Sequence, residues 1–302
     1  MTRIFAAADI GSNTAHLLVA ASDGELVMRV DNLNEWIPLG EVVARQGQVP
    51  KDYLQELVMA VKEFKRVSAA KGAVCLYVFA TEGLRMATNH AAVLKKIEAD
   101  TGVKVEIISP QREAELSVGG ILLDTRNYAA NIMFEVGGGS AQIGLLKDRK
   151  LKSSMSLPLG TGRIIAESGL RNPCPEYAFN AAQRYIEDKL QAAEFPASGK
   201  VAVASGGVAR GLWRALHPDG EKVLTAEELD YLIWSTARLP LDRVVVRFNV
   251  KQRRASTILP GALVYRALMK RFDLEEMIVS EFGIREGAVL EMAQGKIPQC
   301  PG

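Results

Sequence analysis

NIMFEVGGGSAQIGLLKDRKLKSSMSL, residues 131–157, reads as strand, Gly/Ser turn, strand, polar turn, strand, and it restarts a pattern already met at the beginning of the chain. There IFAAADI (4–10) runs into GSNT (11–14), AHLLVAA (15–21), the Asp23-Gly24 turn and ELVMRV (25–30). The first turns align residue for residue, Asp9-Ile10-Gly11-Ser12-Asn13-Thr14-Ala15 against Glu135-Val136-Gly137-Gly138-Gly139-Ser140-Ala141. Both read acid, aliphatic, glycine, two small or polar residues, hydroxyl, alanine. Three successive strands joined by tight turns are most simply an antiparallel meander, and its recurrence implies two related halves.

Around each meander, helices alternate with strands, which is the α/β pattern. In the first half a helix is expected from Pro50 to about Lys71, with Leu54, Leu57, Val58, Val61, Phe64 and Val67 on one stripe. The strand CLYVFAT, a helix over 89–99, the strand VKVEIIS and a helix over 113–123 follow. In the second half, helices are expected near 161–168, 175–193, 207–216, 225–237 and 260–271, with a basic stretch before the last of these. The strands VAVAS and MIVSEFG and a final helix from Arg285 complete it. The boundary is expected between Asp124 and Ala130, giving domains over 1–124 and 125–302.

Composition limits the function classes. The chain has 302 residues, 48% hydrophobic and 24% charged, enough for one or two full cores and unlike a disordered or fibrous chain. Its net charge of +2 gives no whole-chain case for nucleic acid, so any polyanion site is local. No apolar run approaches the ~20 residues of a membrane helix, and a cytoplasmic location with no membrane partner is expected. Three dispersed cysteines, Cys75, Cys174 and Cys300, form no CxxC, so reduced thiols are expected.

A strand that ends in an acid and continues into small residues and a hydroxyl suits phosphate. Backbone N–H groups can line a concavity for the anion, and the carboxylate can hold a divalent cation. Gly11, Ser12 and Asn13 form one such turn and Gly137, Gly138, Gly139 and Ser140 the other. A plain glycine hairpin explains either alone; their duplication favours phosphate. ASGGVAR (204–210) is a third glycine turn opening a helix, and its Ser205, Gly206 and Gly207 are further phosphate candidates. Arg243, Arg247, Lys251, Arg253 and Arg254, against only Asp242, read either as a track for a long polyanion or as a solvated helix face. Thr225 and Glu228 read as a capping box.

DIGSNT, ATEGLRMATN (80–89), ISPQREAEL (108–116), EVGGGSAQ (135–142), SLPLGTGR (156–163), ASGGVAR, ILPGA (258–262) and GIREG (283–287) together resemble the exopolyphosphatase/guanosine pentaphosphate phosphohydrolase (Ppx/GppA) family in order and spacing. The resemblance implies two actin-like (ribonuclease H-like) ATPase-type α/β domains with an interdomain cleft, the last helix crossing back to the first domain, in the short two-domain form. It implies hydrolysis of the terminal phosphate of inorganic polyphosphate, or of the 5′ γ-phosphate of pppGpp, assisted by Mg²⁺ or alternatively Mn²⁺. By motif match, Glu113 corresponds to the catalytic base and Arg85 to an arginine that forks onto phosphate oxygens. Asp9, Glu135 and Gln142 fall at metal positions, and a homodimer is consistent with the family.

The departures fall on acids. The family usually has Asp at Glu135, Glu at Gln142, Glu at Arg112 and Asp at Ser256. Fewer carboxylates weaken a cation site, and Arg112 would depress the Glu113 carboxyl if the two side chains met. Two readings follow: a working exopolyphosphatase, or a catalytically weakened protein that senses polyphosphate or guanosine phosphates. An ATP-dependent kinase of the same superfold is remoter, because Glu113 matches a hydrolase motif.

Overall fold

The computed structural model describes residues 1–194, 201–217 and 219–298. The chain forms two compact units, one of Met1–Leu123 with the segment from Phe282 onward, the other of Asp124–Glu281. The second unit thus ends before the last helix, which belongs to the first.

The first unit runs β1 (Arg3–Ile10), β2 (Thr14–Ser22), β3 (Val27–Trp36), α1 (Leu39–Gln46), α2 (Lys51–Ala70), β4 (Leu76–Ala80), α3 (Glu82–Arg85), α4 (His90–Thr101), β5 (Val105–Ile107) and α5 (Pro110–Ile121). The second runs β6 (Ile132–Val136), β7 (Ala141–Lys147), β8 (Lys150–Leu157), α6 (Thr161–Ser168), α7 (Glu176–Gln191), β9 (Ala202–Ser205), α8 (Gly206–Leu216), β10 (Val223–Thr225), α9 (Ala226–Arg238), α10 (Leu241–Phe248), α11 (Gln252–Arg271) and β11 (Glu276–Val279). The chain then returns to the first unit as α12 (Ile284–Ala293).

The duplication is visible in the sheets. The first has the order β3-β2-β1-β4-β5, antiparallel across the meander and parallel from β1 through β4 to β5. The second repeats this as β8-β7-β6-β9-β11 and adds β10 at the edge. This is the actin-like, ribonuclease H-like arrangement. Asp9 pairs across β1 and β2 with His16, and Glu135 pairs across β6 and β7 with Gln142.

In the first unit one sheet face packs on α2 and α4 through Leu57, Val61, Phe64 and Ile97, and the other on α5 and α12 through Leu116, Ala288 and Val289. The approach of α5 to α12 depends on two glycines. A Cβ on Gly287 would lie 1.8 Å from the Leu116 carbonyl oxygen, and one on Gly120 would lie 1.9 Å from that of Gly283. In the second unit α11 is the central core helix, with Ala255, Ile258 to Tyr265, Leu268 and Met269 buried.

Some elements differ from expectation. The basic stretch forms α10 and the first turn of α11, so that Pro260 is inside a helix that was expected to start there. An internal proline loses one backbone hydrogen bond, and burial of the surrounding apolar face outweighs it. Helix α1 was not read from sequence; Gly47, in the left-handed region at φ 71°, ends it. The Thr225–Glu228 capping box is present, with the Glu228 amide donating to the Thr225 hydroxyl at 3.2 Å. Cys75 is disulfide-bonded, against the expectation of reduced thiols, since distance in sequence does not forbid pairing in space. Cys174 is a free thiol, and Cys300 lies outside the described residues.

Candidate active site

The first glycine loop is closed by the Gly11 amide donating to the Thr14 carbonyl at 2.9 Å, and the second by the Gly137 amide donating to the Ser140 carbonyl at 2.8 Å. Each loop also leans on the first turn of the helix after its meander. In the second unit the carbonyls of Gly137, Gly138 and Gly139 accept from the amides of Thr161 (2.9 Å), Gly162 (2.8 Å) and Gly160 (3.0 Å). In a trans peptide the N–H of the next residue points opposite to the carbonyl. The amides of Gly138, Gly139 and Ser140 are therefore directed away from α6, together. The first unit repeats the device with fewer bonds. The Ser12 carbonyl accepts from Gly40 (2.6 Å) and that of Asn13 from Ile37 (3.0 Å), turning the Asn13 and Thr14 amides outward. Such adjacent amides form an anion-binding concavity.

In the first unit Arg85 and Glu113 come together. Arg85, at the end of α3, donates through Nη1 to the Ile108 carbonyl at 2.7 Å, which leaves Nη2 3.5 Å from Glu113 Oε2. Glu113 lies in the first turn of α5, which Ser109 caps by accepting from the Arg112 amide at 3.1 Å. Both side chains are mostly buried. The Arg112 guanidinium bridges to Glu291 on α12 and lies 3.6 Å from Glu115 Oε2. Its charge is thus balanced on the α12 side.

Asp9 has a partner that sequence reasoning did not find. Arg285, from the first turn of α12, places Nη1 2.5 Å from Asp9 Oδ2 and 2.8 Å from His16 Nδ1. Because a guanidinium only donates, His16 Nδ1 accepts, and a neutral ring then carries its proton on Nε2. The GIREG motif was the only signal for Arg285; its contact with Asp9 depends on α12 returning to the first unit.

In the second unit Glu135 and Gln142 lie side by side on β6 and β7. Glu135 Oε2 accepts from the Ser205 hydroxyl at 2.9 Å. Its Oε1 borders Gly206, where the left-handed φ of 88° and a Cβ position only 3.1 Å from Oε1 both require glycine. Gly207 is equally close to a side chain: Arg254 Nη1 donates to its carbonyl at 3.1 Å. Beneath the turn, fully buried Tyr265 donates to the Ser205 carbonyl (3.3 Å) and accepts from the Val136 amide (3.2 Å). Burial pushes its phenol well above the ordinary range. Tyr265→Phe strands both backbone groups, and a loss of about 1–3 kcal/mol is expected in urea unfolding. A loss below about 0.3 kcal/mol would remove the tie between the two strands.

Hard oxygen donors beside space that a Cβ would fill suit a small divalent cation. Glu135 and Gln142 fit Mg²⁺, which commonly takes one or two protein oxygens and completes its shell with water and substrate phosphate. Asp9 fits less well, since its carboxylate already holds a guanidinium. Among the described residues no three His, Cys, Asp or Glu side chains cluster as a metal cage.

The chain matches the Ppx/GppA phosphatase family model over residues 18–296. It is 28% identical over 295 residues to Exopolyphosphatase 1 of Mycobacterium leprae, an alignment covering 93% of this chain and 87% of that protein. Among solved structures it is similar to the Aquifex aeolicus member of the Ppx/GppA family, with TM-score 0.83, 23% identity and coverage of 98% and 99% of the two chains. An exopolyphosphatase from Cytophaga hutchinsonii superposes with TM-score 0.85 at 18% identity, covering 97% and 98%. At these identities the structures establish the fold, and the family model establishes the kinship. With the duplicated loops, the recurring sheet order and a family match over nearly its whole length, the chain belongs to the Ppx/GppA phosphatase family.

Proposed function

We propose that this chain hydrolyses the terminal phosphoanhydride of inorganic polyphosphate, with water cleaving the P–O–P bond to release orthophosphate and a chain one unit shorter. The juxtaposition of Glu113 with Arg85 carries the proposal. A guanidinium anchored on a main-chain carbonyl is ready for a phosphate oxygen, and a carboxylate beside it is placed to orient a water and accept its proton. The outward amides of Gly138, Gly139 and Ser140, and those of Asn13 and Thr14, bind phosphate oxygens in this reading. Ser205, Gly206 and Gly207 shape the wall beside Glu135. Mg²⁺, or Mn²⁺ in its place, is assigned to Glu135 and Gln142, where it supplies neutralisation of phosphate charge. Asp9 is assigned to holding Arg285 in place. The name of the Mycobacterium leprae relative supports polyphosphate over pppGpp as substrate.

One observation favours the sensor reading instead: Gln142 brings no charge where the family resemblance places an acid. Orthophosphate release from long-chain polyphosphate and from pppGpp, each with Mg²⁺, Mn²⁺ or EDTA, separates the two. Metal-dependent release from polyphosphate is expected. Binding of either ligand without turnover would establish a sensor, and release from pppGpp alone would change the substrate. Among the described residues no helix is long and apolar enough to cross a membrane.

A further inference from the structure

We propose that the exposed edge of the first unit's meander, β3 with the turn before it, docks on the β7–β8 hairpin of a second copy of this chain. The two surfaces are the same element of the duplicated fold, with β3 and β8 each the outer strand of its sheet. Their chemistry is opposite.

The β3 edge is acidic and apolar. Asp23 and Glu25 are both exposed, and among the described residues neither forms an ion pair. The Asp23 carboxylate accepts from the amides of Leu26 and Glu25, each at 3.0 Å, which holds its carboxyl below the usual range and keeps it charged. Leu26, Met28 and Val30 follow, 69%, 66% and 43% exposed. Edge strands ordinarily carry charge or proline at such positions, and exposed apolar side chains gathered on one mark an interaction surface. The charges between them are spent inside the same unit, Arg29 on Glu286 of α12 at 2.7 Å and Asp31 on Lys71 after α2 at 2.9 Å.

The β7–β8 hairpin is basic. Lys147, Arg149, Lys150 and Lys152 are all exposed, and Asp148 is the only acid over 147–152. Among the described residues none of the four cations forms an ion pair; Arg149 lies over the exposed Tyr128 ring, 4.9 Å from its centroid. Two features of this hairpin cost stability. Lys147 and Lys150 are directly opposite in the ladder, where like charges repel. Asp148 and Arg149 form the turn in the left-handed region, at φ 53° and 58°, which favours glycine or asparagine over arginine. Acids from another molecule offset the repulsion.

The match is selective. Edge lysines keep like edges apart, so two β8 edges repel each other. Against β3 the same lysines meet Asp23 and Glu25, while their methylene stems cover Leu26, Met28 and Val30. Each outer strand pairs with its neighbour through a bulge, opposite Val19 and Ala20 in β3 and opposite Leu145 and Leu146 in β8. A bulge bends the edge, so the contact is made by side chains and does not extend either sheet. It joins two different surfaces and is heterologous.

Light scattering on the full-length protein tests this. At low salt the mass is expected to rise with protein concentration from one chain to two or more, and to return to one chain in sodium chloride of about 1 M, where charges are screened beyond about 3 Å. Two variants, Lys150→Glu with Lys152→Glu and Glu25→Lys with Met28→Lys, are each expected to weaken association about 10-fold or more by setting like charges against each other. An equimolar mixture of the two restores opposite charges and is expected to recover the association. The first variant places an acid opposite Lys147, so its melting temperature should not fall and its lost association is not lost fold. A wild-type mass of one chain at every concentration and salt would overturn the proposal. So would association unchanged in either variant. Two weakened variants whose mixture stays at one chain would overturn it as well, because the two edges then do not meet each other.

Discussion

Glu113→Gln is expected to lower orthophosphate release from polyphosphate by about 100-fold or more, the scale of a lost general base, while polyphosphate affinity stays near wild type. The substitution keeps the side chain's size and leaves an amide oxygen to accept from Arg85 Nη2, now 3.5 Å from the carboxylate. What it removes is the proposed proton acceptor, a negative charge in the first turn of α5. The macrodipole favours that charge by about 0.3–1 kcal/mol, so a small loss of stability accompanies the kinetic effect. Rate and melting temperature measured on the same preparation separate the two. A loss of less than about 5-fold would remove Glu113 from the chemistry. An intact rate would show that the loose transition state of phosphoryl transfer is served by positioning alone.

Arg112 makes that result easier to interpret. From sequence its charge was expected to depress the neighbouring carboxyl if the two met. The fold directs it to Glu291 on α12, a residue 179 positions away. The local pattern could not show this partner, because it could not show which helix would pack on α5. Arg285 teaches the same point. Its motif was legible but its partner, Asp9, lies 276 residues away and becomes a neighbour only when α12 rejoins the first unit. Local features were legible where chemistry and geometry are both local. The two glycine loops, the meanders and the capping box each follow from a few adjacent residues. Helices α10 and α11 were obscured because cations hid the Val244 and Phe248 stripe and Pro260 resembled a start signal. Tyr265 beneath the Ser205 turn carried no local signal, since a buried tyrosine in an apolar helix reads simply as core.

Gly160→Ala is expected to abolish phosphate release through the backbone. A Cβ there would lie 2.3 Å from the backbone nitrogen and carbonyl carbon of Gly139 and 2.4 Å from the carbonyl carbon of Gly138. No flexible side chain can yield, so the triple-glycine loop or the start of α6 must move by about 1 Å to restore ordinary contact. A displacement on that scale costs about 100-fold in rate even without loss of fold. It would also strain the bonds from Gly160, Thr161 and Gly162 that turn the loop's carbonyls toward α6. Overpacking of this kind costs about 1–3 kcal/mol or more in stability. Gly40 holds the corresponding place in the first unit, with a Cβ position 2.7 Å from Ser12 Cβ, a single and smaller overlap than the three backbone contacts at Gly160. Gly40→Ala is therefore expected to be milder. Gly211→Ala in α8 supplies the control: its Cβ would meet nothing within 4 Å, and removing a helical glycine should raise stability by about 0.5–1 kcal/mol. Rates and unfolding free energies for the three variants rank the contacts. Wild-type activity and stability for Gly160→Ala would mean that the carbonyls of Gly137, Gly138 and Gly139 are not what aims the loop's amides, and the loop would lose its assignment as the phosphate cradle of the second unit.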